Sequence, residues 1–217
     1  MNRVLTWCLL LSGEAALAAL VAATFWYQDW QYSLPTPRPA ALVQPALGET
    51  IELPELATSF PDTSDEQRPT LLHFFNPSCP CSRFNLLHLR ELIHQFQGQV
   101  NVIAVLQATD EASALAEFQQ LAIPCLAVAD KQSKLAHRFG VYSTPQAVIL
   151  DGSDKLYYRG NYNRSRYCTE PESEFVRIAL VACLAKEPLP VFSADAAIAQ
   201  GCALPADLVL KQEALAP

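Results

Sequence analysis

Cys79 and Cys81 stand one residue apart in Asn76-Pro77-Ser78-Cys79-Pro80-Cys81. Paired thiols suit thiol–disulfide exchange, in which a thiolate attacks a disulfide and a second thiol resolves the product. Leu71 to Phe75, just upstream, is a short apolar run with aromatic side chains, which predicts a buried strand. Asn76-Pro77 ends it, because proline cannot continue a central ladder. Downstream, Phe84, Leu87, His88, Glu91, Leu92 and Phe96 recur at helical spacing. A helix N-terminus carries unpaired N–H groups and partial positive charge, which favour a thiolate. Cys79, standing first, is therefore expected to have the lower pKa and the greater exposure, with Cys81 sheltered in the first turn. Either the two form the redox disulfide themselves, in a very small ring, or Cys79 works with a distant resolving cysteine.

The chain has seven cysteines in all. Cys168 follows Arg164 and Arg166, whose guanidinium groups would depress its pKa. It is read as a resolving thiol or as half of a structural disulfide with Cys202. Cys125 and Cys183 lie in apolar segments and read as inert core residues. Cys8 sits in an apolar helix. No paired Cys-x2-Cys pattern exists, so no metal centre is expected, nor any cofactor. His88, His94 and His137 are expected on solvated faces. The formal charge of −7 excludes nucleic acid as a partner, because phosphate recognition needs concentrated Lys and Arg.

The elements that must position these residues follow in order. Residues 1–32 are read as a membrane anchor: Val4 to Tyr27 is almost wholly apolar over about 24 residues, enough to cross a ~30 Å hydrocarbon layer. Glu14 is its one charge. Trp26, Tyr27, Trp30 and Tyr32 form an aromatic belt at its far end, and Arg3 before it favours a cytoplasmic N-terminus. The rival is a signal peptide cut in the Ala-rich stretch Ala16 to Ala23. In both cases the remainder is exported to an oxidising compartment. Residues 33–46, with Pro35, Pro37, Pro39 and Pro45, read as an extended spacer. A folded domain is expected over 47–187 and a C-terminal extension over 188–217. Inside the domain the pattern predicts an edge strand at Ile51-Glu52-Leu53, strands at 70–76, 100–106, 125–128 and 146–150, and a hairpin closing at 155–159. Helices are predicted at 82–97, 110–121, 131–139 and 171–186. This alternation makes an α/β sheet with helices on both faces.

That order, with Phe74-Phe75-Asn76-Pro77-Ser78-Cys79, with Ser143-Thr144-Pro145 ahead of a strand, and with a closing hairpin from Asp151-Gly152 to Gly160, resembles the thioredoxin-like superfamily. The resemblance covers roughly residues 47–187. The Cys-Pro-Cys variant and the segment Tyr158-Arg159-Gly160-Asn161-Tyr162 are similar to a group of membrane-anchored proteobacterial proteins. The departure from the family's Cys-x-x-Cys is Ser82 at the fourth position. The resemblance implies that Pro145 is a cis-proline beside the sulfur, leaving adjacent backbone free to pair with an extended substrate. It implies that His73 stands where the family carries a buried acid that exchanges protons with the sheltered cysteine, or else is a core histidine. The function implied is a single-pass oxidoreductase of the bacterial inner membrane, facing the periplasm and acting on protein thiols and disulfides. Cys79 attacks a substrate disulfide, or its own disulfide is attacked by a substrate thiol, and Cys81 resolves the mixed disulfide. A copper carrier, since soft thiolates suit Cu(I), and a thiol peroxidase are the alternatives on the same fold.

Overall fold

The computed structural model describes residues 3–30, 34–52, 68–165 and 167–205, in two compact units that divide between Leu34 and Pro35. In the first, helix α1 (Arg3–Phe25) runs into a π-helical turn, Trp26–Trp30. None of the α1 side chains is buried, and Arg3–Gln28 is long and apolar enough to cross a bilayer. The Trp26 and Trp30 rings stack at 6.5 Å. Tyr32 and Arg166 lie outside the described residues.

The second unit is thioredoxin-like. Its sheet has five strands in the order β3-β2-β1-β5-β6: β1 Thr70–Phe75, β2 Asn101–Leu106, β3 Leu126–Ala129, β5 Gln146–Leu150 and β6 Leu156–Gly160. β1, β2 and β3 run parallel, whereas β5 and β6 are antiparallel. β1 is central and buried throughout, as its continuous apolar run requires. Its side chains alternate between two cores. Leu71 and Phe75 pack with Leu89 and Leu92 of α3 (Leu86–Gln95) and with Val176 and Leu180 of α6 (Phe175–Leu184). Leu72 and Phe74 pack on the opposite face with Leu135 and Ala136 of α5 (Lys134–Arg138) and with Phe139. Helix α4 (Glu111–Gln120) adds Phe118, whose ring meets Phe75 edge-on; Asp110 caps it by accepting from Ser113 N at 3.1 Å.

Three predicted helices are shorter than their patterns. Residues 82–97 divide into α2 (Pro80–Phe84) and α3, with Asn85 as the last cap of one and the first of the other. Residues 131–139 begin as a 3-10 turn with Gln132 and Ser133 at positive φ, so α5 covers only the end of the predicted span. Residues 171–186 likewise start as a 3-10 turn, Pro171–Ser173. The predicted edge strand reduces to a single bridge, Thr50 to Lys155, and Leu53 lies outside the described residues. The Pro-rich stretch includes a turn, with Leu42 N donating to Pro39 O at 3.1 Å, and from Pro35 it is held against the domain. Gln44 Nε2 donates to Gly140 O at 2.7 Å, and Arg159 Nη1 donates to Pro45 O at 3.0 Å.

The C-terminal segment is built into the fold. Asn161 N donates to Ala196 O at 2.8 Å, while its side-chain amide donates to Asp195 O and Ile198 O at 2.7 and 2.6 Å. Arg164 Nε pairs with Asp195 Oδ2 at 3.2 Å. The segment Tyr158 to Tyr162 is thus the clamp that holds the turn Ala194–Ala196. A short second sheet then joins β4 (Ser143–Thr144) to β7 (Cys202–Ala203). A Cβ on Gly160 would fall inside contact distance of Ala196 O and of the Tyr158 hydroxyl. Gly160→Ala is accordingly expected to cost about 1–3 kcal/mol, read as a lower urea midpoint of the domain from Pro35.

Candidate active site

The site forms where β1 stops. Asn76 Oδ1 accepts from Ser78 N at 2.9 Å and Asn76 O accepts from Cys79 N at 3.0 Å, so the chain turns tightly after Pro77. Ser82 Oγ accepts from Asn76 N at 3.3 Å, tying the turn to α2. Cys79 is the extended N-cap of α2 and Pro80 takes the first helical position, where its missing N–H costs nothing. α2 is only five residues long, so the long helix expected behind Cys79 is in fact a short turn followed by α3.

Opposite Cys79 lies the segment Ser143-Thr144-Pro145. The Thr144–Pro145 peptide bond is cis, and Cys79 Sγ lies 3.6 Å from the Thr144 carbonyl oxygen. Thr144 and Gln146 flank the proline, and Thr144 Oγ1 and Gln146 Oε1 are buried without a hydrogen-bond partner among the described residues.

The sulfur pairing is neither Cys79–Cys81 nor Cys168–Cys202; it joins Cys79 to a distant cysteine, the other arrangement expected for Cys79, and that cysteine is Cys202. Cys79 is bonded to Cys202, across 123 residues of chain, with a Cα–Cα distance of 6.2 Å. Cys79 and Cys81 therefore do not close on each other, and Cys202 is not joined to Cys168. Cys81 is in no disulfide, and its Sγ, with those of Cys79 and Cys202, lies in a cluster all within 4.8 Å. The exposure expected of Cys79 is absent too. It is 2% exposed and Cys81 1%.

Cys168 is free, and its Sγ accepts from Asn85 Nδ2 at 3.1 Å. Burial pushes its pKa up to about 11, against the depression that neighbouring arginines would cause. Arg164 is engaged with Glu170 and Asp195 instead. Cys125 and Cys183 are also raised to about 11 by burial, in keeping with inert core thiols.

His73 is wholly buried on the face of β1 shared with Leu71 and Phe75. Its Nδ1 meets the Tyr162 hydroxyl at 2.7 Å, and its Nε2 has no hydrogen-bond partner among the described residues. Burial pushes its pKa down to about 3, so it is neutral near pH 7, and the proton exchange expected near neutrality is replaced by the core-histidine role. His88 also departs from expectation. It is 4% exposed, its ring meets Tyr162 edge-on, and Glu91 and Glu174 carboxylates lie 3.9 Å from Nδ1. Desolvation lowers its pKa, with Glu174 opposing that shift. His94 is exposed, as expected, and His137 half-buried.

Sequence reasoning missed the role of Cys202 beside Cys79, and the roles of Tyr162 and Thr36. Gly201-Cys202-Ala203-Leu204 is a glycine, then a short apolar run, which is the only local signal for β7. Thr36 Oγ1 lies 3.0 Å from Ser143 Oγ and donates to Gly201 O at 3.2 Å.

Residues 50–203 match the family described as Domain of unknown function (DUF6436). Among solved structures, the chain is similar to an uncharacterized conserved protein from Geobacillus kaustophilus. Identity is 23%, over 64% of this chain and 77% of that one, with a TM-score of 0.54. A hypothetical protein from Sinorhizobium meliloti matches at 19% identity, over 64% and 79%, with a TM-score of 0.53. A secreted disulfide oxidoreductase from Mycobacterium tuberculosis matches at 16% identity, over 58% and 87%, with a TM-score of 0.42.

Proposed function

We propose a redox function for this chain, which belongs to the DUF6436 family: it exchanges disulfides with protein substrates through Cys79. The observation that carries this reading is the sulfur cluster. Cys79 is already in a disulfide, stands 3.6 Å from the Thr144 carbonyl beside Pro145, and shares a 4.8 Å cluster with Cys81, a thiol in no disulfide. In the reducing direction the Cys79 thiolate attacks a substrate disulfide. The Cys81 thiolate then attacks Cys79 Sγ, and the substrate leaves as a thiol. In the oxidising direction a substrate thiolate attacks Cys79 Sγ in its disulfide form. Backbone beside Pro145 holds the substrate, and no proton step falls to His73. The test is exchange by the full chain in detergent with an oxidised protein, lost in Cys79→Ser.

The reading places α1 in the bacterial inner membrane as an uncleaved tether, with the domain in the periplasm. Its length and its aromatic end support this. Mass spectrometry of the chain recovered from membranes is expected to find residues 4–27 attached. A mature chain starting near Thr24 would mean a cleaved signal peptide.

One observation favours a second reading. The sulfurs of Cys79, Cys81 and Cys202 lie within 4.8 Å of one another in the disulfide form, and once reduced they offer a soft donor set suited to Cu(I) carriage. A reduced chain that retains copper, and whose Cys79→Ser variant keeps full exchange, would move the assignment there.

A further inference from the structure

The Cys202 strand lies where a substrate would. β7 pairs antiparallel with β4, with Thr144 opposite Cys202 and Ser143 opposite Ala203. Because Thr144 O is 3.6 Å from Cys79 Sγ, any strand paired in this register delivers the residue opposite Thr144 to the sulfur. Here that residue is a cysteine, already bonded to Cys79.

The segment is seated by specific contacts on both sides. Ser143 Oγ donates to Gln200 O at 3.2 Å, and Thr36 N donates to Ala199 O at 2.8 Å. Pro35 bridges Gln200 from the edge away from β4. Gly201 has φ +122°, and a Cβ there would fall inside contact distance of the Thr144 carbonyl oxygen. Only glycine lets the strand approach this closely. Two residues after the cysteine, Leu204 is fully buried among Phe74, Phe139, Val141 and Leu135.

We propose that the site takes an extended cysteine-containing segment with glycine just before the cysteine and an apolar residue two after it, and that Gln200–Leu204 is a tethered copy of that substrate. The substrate class rests on the redox reading of Cys79. Main-chain pairing to β4 supplies the register, while the glycine and the apolar residue supply the selection. Release of the tether needs no outside electrons. The Cys81 thiolate attacks Cys79 Sγ, the Cys79–Cys202 bond breaks as the Cys79–Cys81 bond forms, and Cys202 leaves as a thiolate. That thiolate takes up the proton that Cys81 gave to solvent. The tether thus blocks the groove until Cys81 or an incoming substrate thiolate displaces it.

The probe is the peptide Gln-Gly-Cys-Ala-Leu, capped at both ends, with its cysteine as a mixed disulfide with thionitrobenzoate. The full chain carrying Cys202→Ser, in detergent, supplies a free Cys79. Its thiolate attacks the peptide sulfur, and thionitrobenzoate leaves as a coloured thiolate. Peptides with Val for Gly, or Asp for Leu, are expected to react about tenfold more slowly, whereas hydroxyethyl disulfide shows no such dependence on the tail. Adding Gly201→Val to the Cys202→Ser chain, which unseats the tether, is expected to speed the parent peptide by a similar factor. Equal rates for all three peptides, with Cys79→Ser inert in the Cys202→Ser chain, would overturn the substrate class and leave the redox reading standing. Thionitrobenzoate release by the chain carrying both Cys79→Ser and Cys202→Ser at the rate of the Cys202→Ser chain would overturn both. Should Gly201→Val fail to fold, the peptide comparison on Cys202→Ser decides alone.

Discussion

Cys79→Ser is expected to lower exchange by at least roughly 10³-fold, the scale on which loss of a nucleophile registers. The serine hydroxyl is a far weaker nucleophile and forms no disulfide, while Cys79 Sγ is 3.6 Å from the Thr144 carbonyl oxygen. Cys81→Ser behaves differently. Cys202, the disulfide partner of Cys79 in this structure, remains available to displace the substrate when Cys81 is removed. The single variants are therefore expected to slow turnover without accumulating an intermediate. The double variant Cys81→Ser with Cys202→Ser removes both resolving thiols and is expected to stop with substrate joined to Cys79. Acid quenching and mass spectrometry read the difference directly. Cys168 plays no part in this scheme. Its thiol is held protonated to about pH 11 by burial and is tied to Asn85.

The second large effect is on stability in acid. His73 has a pKa near 3 in the fold, against 6.5 for the ordinary side chain. Between these values the unfolded chain binds a proton at this site and the folded chain does not, so stability falls as pH falls from about 6.5 toward 3. The full loss is on the order of 4–5 kcal/mol. His88, also lowered, acts with the same sign. His73→Leu leaves the Tyr162 hydroxyl without its 2.7 Å partner and so lowers stability at pH 7. It also removes the proton-binding site, so its stability is expected to fall less steeply with acid. Urea midpoints for the domain from Pro35, taken from pH 7 down to pH 4, measure both. Parallel curves for the two proteins would return the acid dependence to other groups.

The sheet was legible because its signals are local. The run Leu71 to Phe75 is short, apolar and aromatic, Asn76-Pro77 stops it, and the cysteines must then fall at the head of a helix. Ser143-Thr144-Pro145 precedes β5 as read, and Asp151-Gly152 closes the hairpin to β6. Helix lengths were read less well. Apolar spacing continues through Asn85 and Ser133, while the backbone there breaks for hydrogen-bonding reasons that spacing does not carry. Which distant cysteine pairs with Cys79 was not legible. Cys202 reaches Cys79 through a strand of two residues, too short for any period, held by the clamp at Asn161 and by Thr36 far upstream. Nor does helical spacing reveal that Tyr162 lies against His88, turning an apparently polar position into a buried one.

The central claim is that Cys79 is the sulfur that meets the substrate. The full chain carrying Cys81→Ser and Cys202→Ser, reduced, freed of reductant and mixed in detergent with an oxidised protein, is quenched in acid, digested and mapped by mass spectrometry. A substrate adduct on the peptide containing Cys79 is the predicted result. An adduct on Cys168, Cys125 or Cys183, with Cys79 left as a free thiol, would contradict it.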